Sequence, residues 1–455
     1  MRRPQLLGLH EEVFVKTFHA DFGRRGGFVR LESGPISALS GIDLVDWISR
    51  LDTPEHFYFS GKEGDYEAAG AGCCEVLQDC LIEEAEARLV ELWKTFPEVI
   101  VFSGMSFFGD GPSPGEWDGF GALRLTVPLL EITRRNGETR LAANGLSMAG
   151  EAPESVVKRL KERLAVLREF DSRDAPSGFP GTVFADEVPG RPGWDKMMAR
   201  TLNEIRSGNI DKAVLSRKRV LVAERAWPVF GIMGSLKAVR DKSFVFLYKI
   251  SREKAFLGRS PERLLKVSGR AISVDAVAGT RPRGATPAAD RAFARELLES
   301  MKELSEHRIV SGCIREQMEK ITVNPTISDT ESLLALENVQ HIITRHSGTL
   351  KNGRSVLNTL RCFHPTPAVG GYPSLKALSL LFENEPHERG WFAAPIGWMN
   401  GHDADFAVGI RSALVAGNAL HVYAGAGIVD GSRADDEWLE TEQKMRTIIG
   451  ASEGF

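Results

Sequence analysis

The sequence predicts an α+β fold built on antiparallel sheets. Its first 150 residues alternate short apolar runs with turns rich in glycine, such as FFGDGPSPGEWDGFG at residues 107–121. In the second half, strands are joined by hairpins and only a few long helices interrupt them. That order is typical of α+β proteins, whereas a doubly wound fold alternates one strand with one helix.

The first half reads as strands followed by one helix. Apolar runs such as Phe57–Phe59 predict the strands, and SVVKRLKERLAVLREF at residues 155–170 predicts a charged helix with leucines at helical spacing. A polar stretch rich in Pro and Gly then predicts a boundary near residues 171–192. We expect residues 1–190 to be the N-terminal part of the fold and residues 191–455 to carry the chemistry, both within one structural unit.

The second half is denser in regular elements. An amphipathic helix over residues 193–207 is stopped by Gly208. The remaining predicted strands cover residues 212–222, 243–250 and 254–267, with two more within 406–428. The remaining predicted helices cover residues 289–321 and 434–449.

Composition and charge exclude several classes of protein. Of the 455 residues, 42% are hydrophobic and 26% charged, which is ordinary for a globular protein. A formal net charge of −4 offers no basic surface to nucleic acid or anionic lipid. The sequence shows neither the apolar core of a signal peptide nor the roughly 18 apolar residues of a membrane span. Five cysteines without zinc-ribbon spacing fit reduced thiols. We expect a cytoplasmic protein with neither nucleic acid nor a membrane as partner.

A lysine opens one of the most apolar strands. Lys212 stands at the start of the run KAVLSRKRVLV, within GNIDKAVLSRKRVLV at residues 208–222. Either its side chain extends back to water at the end of the strand, or the protein requires an amine in a dry place. A buried amine acts as a general base only if burial favours its neutral form.

Two predicted helices each carry a pair of glutamates three residues apart. The pairs are Glu303 with Glu306, in KELSEH, and Glu437 with Glu440, in DEWLETEQK. Residues three apart share a helix face, so each pair presents two carboxylates together. A solvated acidic face is the ordinary interpretation. The alternative is a site for Mg²⁺, which prefers oxygen ligands.

Three further segments carry candidate polar groups. The backbone of AGAG, around Gly425, is suited to an anion at a strand end, and Arg411 within the apolar strand FAVGIRSALV is suited to a carboxylate. An arginine on the wet face of a strand is an equal alternative for Arg411. Pro261 cannot occupy a central ladder position, so Glu262 sits in a bulge or turn, where partial burial would raise its pKa and make it a general acid. A turn glutamate is the ordinary alternative, and His341 alone reads as structural.

Ten segments occur in an order that resembles the chorismate-utilising enzymes. They are DKAVLSR, FLGRSPERLL, AVAGTRPRG, KELSEH, VQHI, FHPTPAVGGYP, RGWFAAPIGW, GIRSAL, AGAGIV and ETEQK. The resemblance covers residues 193–450, and the first 190 residues share only the general character. The family comprises isochorismate synthase, salicylate synthase, the large component of anthranilate synthase and aminodeoxychorismate synthase. The resemblance implies that family's fold, with two large antiparallel sheets packed face to face, helices outside and the site between the sheets.

The lysine separates the members of this family. A lysine at the position of Lys212 activates water in the members that have it, and the ammonia-using members lack it. The stretch HPTPAVGG around Ala368 is more similar to isochorismate synthases than to salicylate synthases, whereas many relatives carry tyrosine at the position of Phe392. The resemblance therefore implies an isochorismate synthase without an obligatory glutamine amidotransferase. Salicylate synthase and an amidotransferase-partnered synthase component are the alternatives. Menaquinone, siderophore and salicylate synthesis all remain open as destinations of the product.

The resemblance also implies roles for the residues singled out above. Lys212 would be the general base and Glu262 the general acid, acting on opposite faces of chorismate. Mg²⁺ would be held by Glu306 and Glu440, with Glu303 and Glu437 nearby. The implied substrate contacts are Arg411, Gly425, Lys444, Gly279, Thr280, His341, Ala368 and Phe392.

Overall fold

A computed structural model describes residues 14–21, 26–36, 39, 41–109, 115–166, 178–336 and 339–454. Within these residues the chain forms twenty strands and ten helices. The strands are β1 Phe14–Asp21, β2 Gly27–Ser33, β3 His56–Ser60, β4 Tyr66–Gln78, β5 Val101–Met105, β6 Leu123–Arg135, β7 Glu138–Ser147, β8 Thr182–Val188, β9 Lys212–Ala223, β10 Phe244–Lys249, β11 Lys254–Ser260, β12 Arg263–Ser268, β13 Ala271–Pro282, β14 Thr322–Ala335, β15 Val339–Leu350, β16 Gly371–Tyr372, β17 Pro395–Met399, β18 Asp403–Val408, β19 Ser412–Ala416 and β20 Ala419–Ile428. The helices are α1 Leu44–Ser49, α2 Ile82–Thr95, α3 Pro153–Val166, α4 Arg191–Arg206, α5 Val229–Ala238, α6 Pro287–Glu299, α7 Met301–Ile321, α8 Val356–Phe363, α9 Ser374–Asn384 and α10 Ala434–Glu453.

The strands pair antiparallel and fall into two halves that meet at β6. One series, the β9 half, runs β4-β3-β10-β11-β19-β20-β9, and both β8 and β16 pair with β9. The other series, the β13 half, runs β5-β17-β18-β12-β13-β15-β14. Strand β6 pairs with β4 along almost its whole length on one edge, while β5 and β7 pair with the two ends of its other edge. Hydrogen bonds therefore connect the two halves into one continuous network.

The two halves pack against each other through an aromatic core. Phe57 of the β9 half stacks on Phe102 of the β13 half, with ring centroids 5.3 Å apart. Tyr248 of β10 meets Trp391, which precedes β17, edge to face at 4.9 Å. Such pairs contribute beyond the apolar area that they bury. The predicted α+β fold with antiparallel sheets packed face to face is confirmed.

Helices cover the outer faces of both halves. Met233 of α5 and Ile448 of α10 join a second core on the outer side of the β9 half, together with Leu257 of β11. Helix α7 packs on β13 and β15 through residues such as Ile314. In the described part of the chain, no helix combines the length and the apolarity that crossing a membrane requires. The five cysteines are free thiols, as predicted.

Several predicted elements differ from the observed ones. The helix expected over residues 289–321 is broken at Ser300, whose side chain accepts a hydrogen bond from the backbone N–H of Glu303 and so caps α7. Residues 406–428 hold the end of β18 as well as β19 and β20, so three strands replace the predicted two. Arg411 lies between β18 and β19, not within a strand.

The predicted boundary near residues 171–192 is only partly within the described chain. Residues 171–177 lie outside the described residues, as do residues 167–170 of the predicted helix 155–170. Strand β8 pairs with β9, and α4 begins at Arg191, so the C-terminal part of this stretch belongs to the sheet. The predicted turn at Pro261 is confirmed, because β11 ends at Ser260 and β12 begins at Arg263.

Candidate active site

Nearly all the predicted site residues line one cavity between the two halves. The cavity, with its open mouth, encloses about 950 Å³, a volume suited to a small organic ligand. The predicted residues in its wall are Glu262, Gly279, Thr280, Glu303, Glu306, His341, Ala368, Phe392, Arg411, Gly425, Glu437, Glu440 and Lys444. These residues are spread over almost 200 positions, and only the fold brings them together.

Lys212 lies immediately behind this wall. It is the first residue of β9 and is fully buried, so its side chain does not reach back to water. Its Nζ lies 2.8 Å from Oε1 of Glu306, an ion pair without hydrogen-bond alignment. Gly427 on the neighbouring β20 makes room for this pair, since a Cβ there would lie 2.7 Å from Oε1 of Glu306 and 3.2 Å from Cε of Lys212.

Glu262 occupies the turn between β11 and β12 and is almost completely buried. Burial raises the pKa of Glu262 to about 8, with nearby Asp275 adding to the effect and Lys212 opposing it. Asp275 is itself held by the buried amine of Lys62. Glu262 therefore carries a proton at neutral pH, which is the state that a general acid requires.

Four carboxylates enter the cavity from the first two turns of α7 and α10. A carboxylate near a helix N-terminus is stabilised by the positive end of the helix dipole. Each of the four also has a cationic partner, which for Glu306 is Lys212. The other three ion pairs are Glu303 with Arg281 at 2.7 Å, Glu437 with Lys302 at 3.2 Å and Glu440 with Lys444 at 2.7 Å. Each carboxylate faces its own cation, and no three acidic, His or Cys side chains among the described residues are grouped as metal ligands.

The charges of these carboxylates nevertheless fit a divalent cation. Burial and the neighbouring Glu440 raise the pKa of Glu437. A bound cation would relieve this repulsion. Burial opposes ionisation of Glu306 too, but Lys212 and other lysines outweigh it and lower its pKa. A set of oxygen ligands at least partly ionised suits a hard cation such as Mg²⁺.

A hydrogen-bonded chain joins Arg411, His341 and the bulge in β13. Nη2 of Arg411 donates to Nε2 of His341 at 2.9 Å, so Nδ1 carries the imidazole proton and faces the carbonyl of Gly279 at 3.2 Å and Oγ1 of Thr280 at 3.1 Å. Burial, together with Arg411 and Lys444, lowers the pKa of His341 to about 3, so the ring is neutral.

Arg411 adopts a backbone conformation that non-glycine residues take rarely, with φ at 48°. Burial lowers the pKa of Arg411 to about 10, which still leaves it charged at neutral pH. The guanidinium faces the cavity, so the wet-strand alternative for this residue is not observed. Gly279 also has a left-handed backbone, with φ at 77°, at the bulge between Ala278 and Thr280.

The remaining predicted contacts form the other side of the cavity. Lys444 donates from Nζ to the carbonyl of Gly425 at 2.8 Å, which ties α10 to β20. Phe392 stacks on Tyr423, with ring centroids 5.3 Å apart and planes 19° apart. Ala368 is in the loop that follows α8. Phe392 and Tyr423 therefore give this part of the wall a flat aromatic surface.

Arg389, which the sequence did not single out, fills a gap in the edge of β9. Strands β16 and β8 pair with the two ends of this edge, and none of the described strands pairs with its middle. There, Nη2 of Arg389 donates to the carbonyl of Val214 at 2.5 Å, and Glu385 accepts from the backbone N–H of Ser216 at 2.7 Å. Arg389 and Glu385 also pair with each other at 2.6 Å. The ion pair thus takes the place of a strand beside Lys212.

Two cations of the cavity were missed although they belong to quoted segments. Arg389 opens RGWFAAPIGW, and its Nη1 also donates to the carbonyl of Val369, next to Ala368, at 2.8 Å. Lys302 opens KELSEH and contacts Glu437. Both lay in segments that carried the family resemblance, and that membership was the signal that could have found them.

A cavity lined by a neutral carboxyl, four cations and four carboxylates, with a buried amine behind its wall, is typical of an enzyme that performs acid–base chemistry on an anion. The chain belongs to the chorismate binding enzyme family, whose model matches residues 32–452. It is 30% identical over 441 residues to the isochorismate synthase MenF of Bacillus subtilis (strain 168), covering 93% of both chains. It is 31% identical over 390 residues to the salicylate biosynthesis isochorismate synthase of Pseudomonas aeruginosa, covering 82% of this chain and 81% of that one.

The fold is similar to that of a solved structure, MenF, the menaquinone-specific isochorismate synthase from Escherichia coli. The TM-score is 0.84 at 24% sequence identity, over 95% of this chain and 96% of the other. The family match begins near β2 and ends in α10, so it extends well into the first 190 residues, where the sequence segments showed only a general resemblance.

Proposed function

We propose that this protein is an isochorismate synthase that converts chorismate into isochorismate. The observation that carries the proposal is the placement of a buried amine and a neutral buried carboxyl, Lys212 and Glu262, at one cavity of a chorismate binding enzyme. Two relatives with isochorismate synthase in their names, 30% and 31% identical to this chain over most of its length, support it.

In this reaction Lys212, in its neutral amine form, takes a proton from water, and the water oxygen attacks C2 of the chorismate ring. The ring double bonds shift, the C4–O bond breaks, and Glu262 donates its proton to the departing hydroxyl, which leaves as water. The two residues have different surroundings, as an acid and a base that work together require. Lys212 faces a carboxylate, whereas Glu262 is held neutral by burial.

The cationic residues of the cavity account for binding of the substrate carboxylates. Arg411, Lys444 and the backbone of Gly425 would hold the enolpyruvyl carboxylate, while neutral His341 orients the Arg411 guanidinium through its Nε2. Gly279 and Thr280 would line the ring. Mg²⁺, held by Glu306 and Glu440 with Glu303 and Glu437 nearby, would neutralise the ring carboxylate.

Product analysis tests this proposal directly. Purified protein is incubated with chorismate and Mg²⁺, and the products are separated by liquid chromatography. Isochorismate is expected. Salicylate fluorescence and released pyruvate would identify a salicylate synthase instead. Formation of an amine-bearing product with ammonium, or copurification of a glutamine amidotransferase, would favour a synthase component. We propose instead that the protein acts without such a partner. We also propose that it acts in the cytoplasm.

A further inference from the structure

A second cavity adjoins the active-site cavity behind Arg411 and Lys444. We call it the antechamber and define it by its four cationic residues, Arg259, Arg411, Lys444 and Arg446. Arg411 and Lys444 line both cavities, as do Thr280 and Glu440. The antechamber is open to solvent at Arg446, which is exposed on α10. It therefore reaches solvent and shares part of its wall with the proposed substrate site.

The cations of the antechamber outnumber its carboxylates. Its wall contains four cations and two carboxylates, Asp241 and Glu440. Asp241 pairs with the buried Arg259, and Glu440 pairs with Lys444 at 2.7 Å. Arg411 contacts a neutral histidine. The antechamber thus keeps two positive charges that no carboxylate in its wall neutralises.

Arg446 is the outermost of these charges. Among the described residues, none forms an ion pair or a side-chain hydrogen bond with its guanidinium, and its five N–H donors remain available to an anion. The chain as a whole has a net charge of −4, which repels an anion at long range. A local positive opening therefore decides where an anion can approach.

We propose that the antechamber is the entrance through which the dianionic substrate reaches the active site, and that Arg446 captures the substrate there. This inference rests on the proposed function, whose substrate is chorismate. Chorismate carries two carboxylates that are both ionised at neutral pH. From Arg446 the dianion passes to Arg411 and Lys444, which belong to both cavities, so it meets a cation at each stage.

The test measures association of chorismate by stopped-flow tryptophan fluorescence. The parent is the Glu262→Gln variant of the whole chain, measured with Mg²⁺ present; this variant is expected to bind the substrate without converting it. Adding Arg446→Glu should slow association about tenfold at low ionic strength, within the range known for electrostatic steering. The difference should shrink as salt is added, because salt screens the interaction. Arg446→Lys, which keeps the charge, should associate at nearly the parent rate.

A matched control separates local steering from a change in overall charge. Arg206 is exposed at the end of α4, lines neither cavity, and gives the same change of charge when replaced by Glu. Arg206→Glu should alter association less than twofold. If both charge reversals slow association equally, or if Arg446→Glu does not slow it, the proposal that the antechamber is the entrance is wrong. No binding of chorismate to the parent overturns the proposed function itself and the entrance with it.

Discussion

Replacing Glu262 by glutamine tests the general acid directly. The amide has nearly the same size and suits the same buried turn, but it cannot donate a proton to the leaving hydroxyl. General acid catalysis typically contributes about 10²–10⁴-fold, or about 2.7–5.4 kcal/mol of activation free energy. We expect Glu262→Gln to lose isochorismate formation by a factor in that range and to retain chorismate binding.

The pH dependence of the reaction rate provides a second test of Glu262, because it depends on the fraction of this carboxyl that is protonated. With a pKa of about 8 in place of the ordinary 4.5, the Glu262 carboxyl is about 90% protonated at pH 7, against about 0.3% for an ordinary glutamate. Burial thus enlarges the active fraction about 300-fold. Since the protonated form of Glu262 is active, the alkaline limb of the pH–rate profile should fall as the pH rises through about 8, approaching tenfold per unit.

The assay is the initial rate of isochorismate formation at saturating Mg²⁺, measured by chromatography between about pH 6 and 10. Glu131→Gln is the matched control, because Glu131 is also a buried carboxyl with a raised pKa but pairs with Arg30 outside the cavity. The alkaline limb of the pH–rate profile of Glu131→Gln should match that of the unchanged protein. A loss well under about tenfold in Glu262→Gln, or a rate that does not decline up to pH 10, would refute the role of Glu262 as the acid.

Three further predictions address the metal and the base. Glu306→Gln and Glu440→Gln should each abolish turnover at ordinary Mg²⁺ while circular dichroism shows an intact fold, and unchanged activity in both contradicts the metal assignment. Lys212→Ala and Lys212→Arg should both be inactive in the product assay, because a guanidinium stays charged and cannot accept a proton; high activity in Lys212→Arg would show that only a positive charge is needed. Gly427→Ala should displace Glu306, whose Oε1 would lie 2.7 Å from the new Cβ, and so raise the Mg²⁺ concentration needed for half-maximal activity. Gly312→Ala in α7, where the Cβ meets no atom within 4 Å, is its control and should leave that concentration unchanged.

The sequence by itself determined the fold class, some of the strands and helices, and the chemical inventory of the site. Alternating patterns and hairpin turns located the strands, because their period of two follows directly from strand geometry. Pro261 marked the turn that holds Glu262, since proline cannot donate to a ladder. The spacing of the glutamate pairs placed two carboxylates on one face of each helix. The order of ten segments indicated the family, which the match over residues 32–452 confirmed.

Ser300 shows where local patterns were insufficient. The apolar spacing on both sides of Ser300 suits one continuous helix, and only the observed cap reveals a break. Serine is tolerated within helices and favoured at their starts, so its identity alone does not separate the two cases. The same limit applied to Arg411, whose left-handed backbone between β18 and β19 is set by the two strands that it connects.

The tertiary structure decided which charge faces which. Lys212 and Glu306 are 94 residues apart along the chain, and their 2.8 Å contact exists because the fold brings the second turn of α7 to the start of β9. Arg389 completes the edge of β9 only because β8 and β16 leave its middle open. Periodicity specifies which face of an element is apolar or charged, but it does not specify the distant element that this face meets. That choice depends on how the two halves of the sheet pack, and the pKa of Glu262 and the cationic antechamber follow from the same packing.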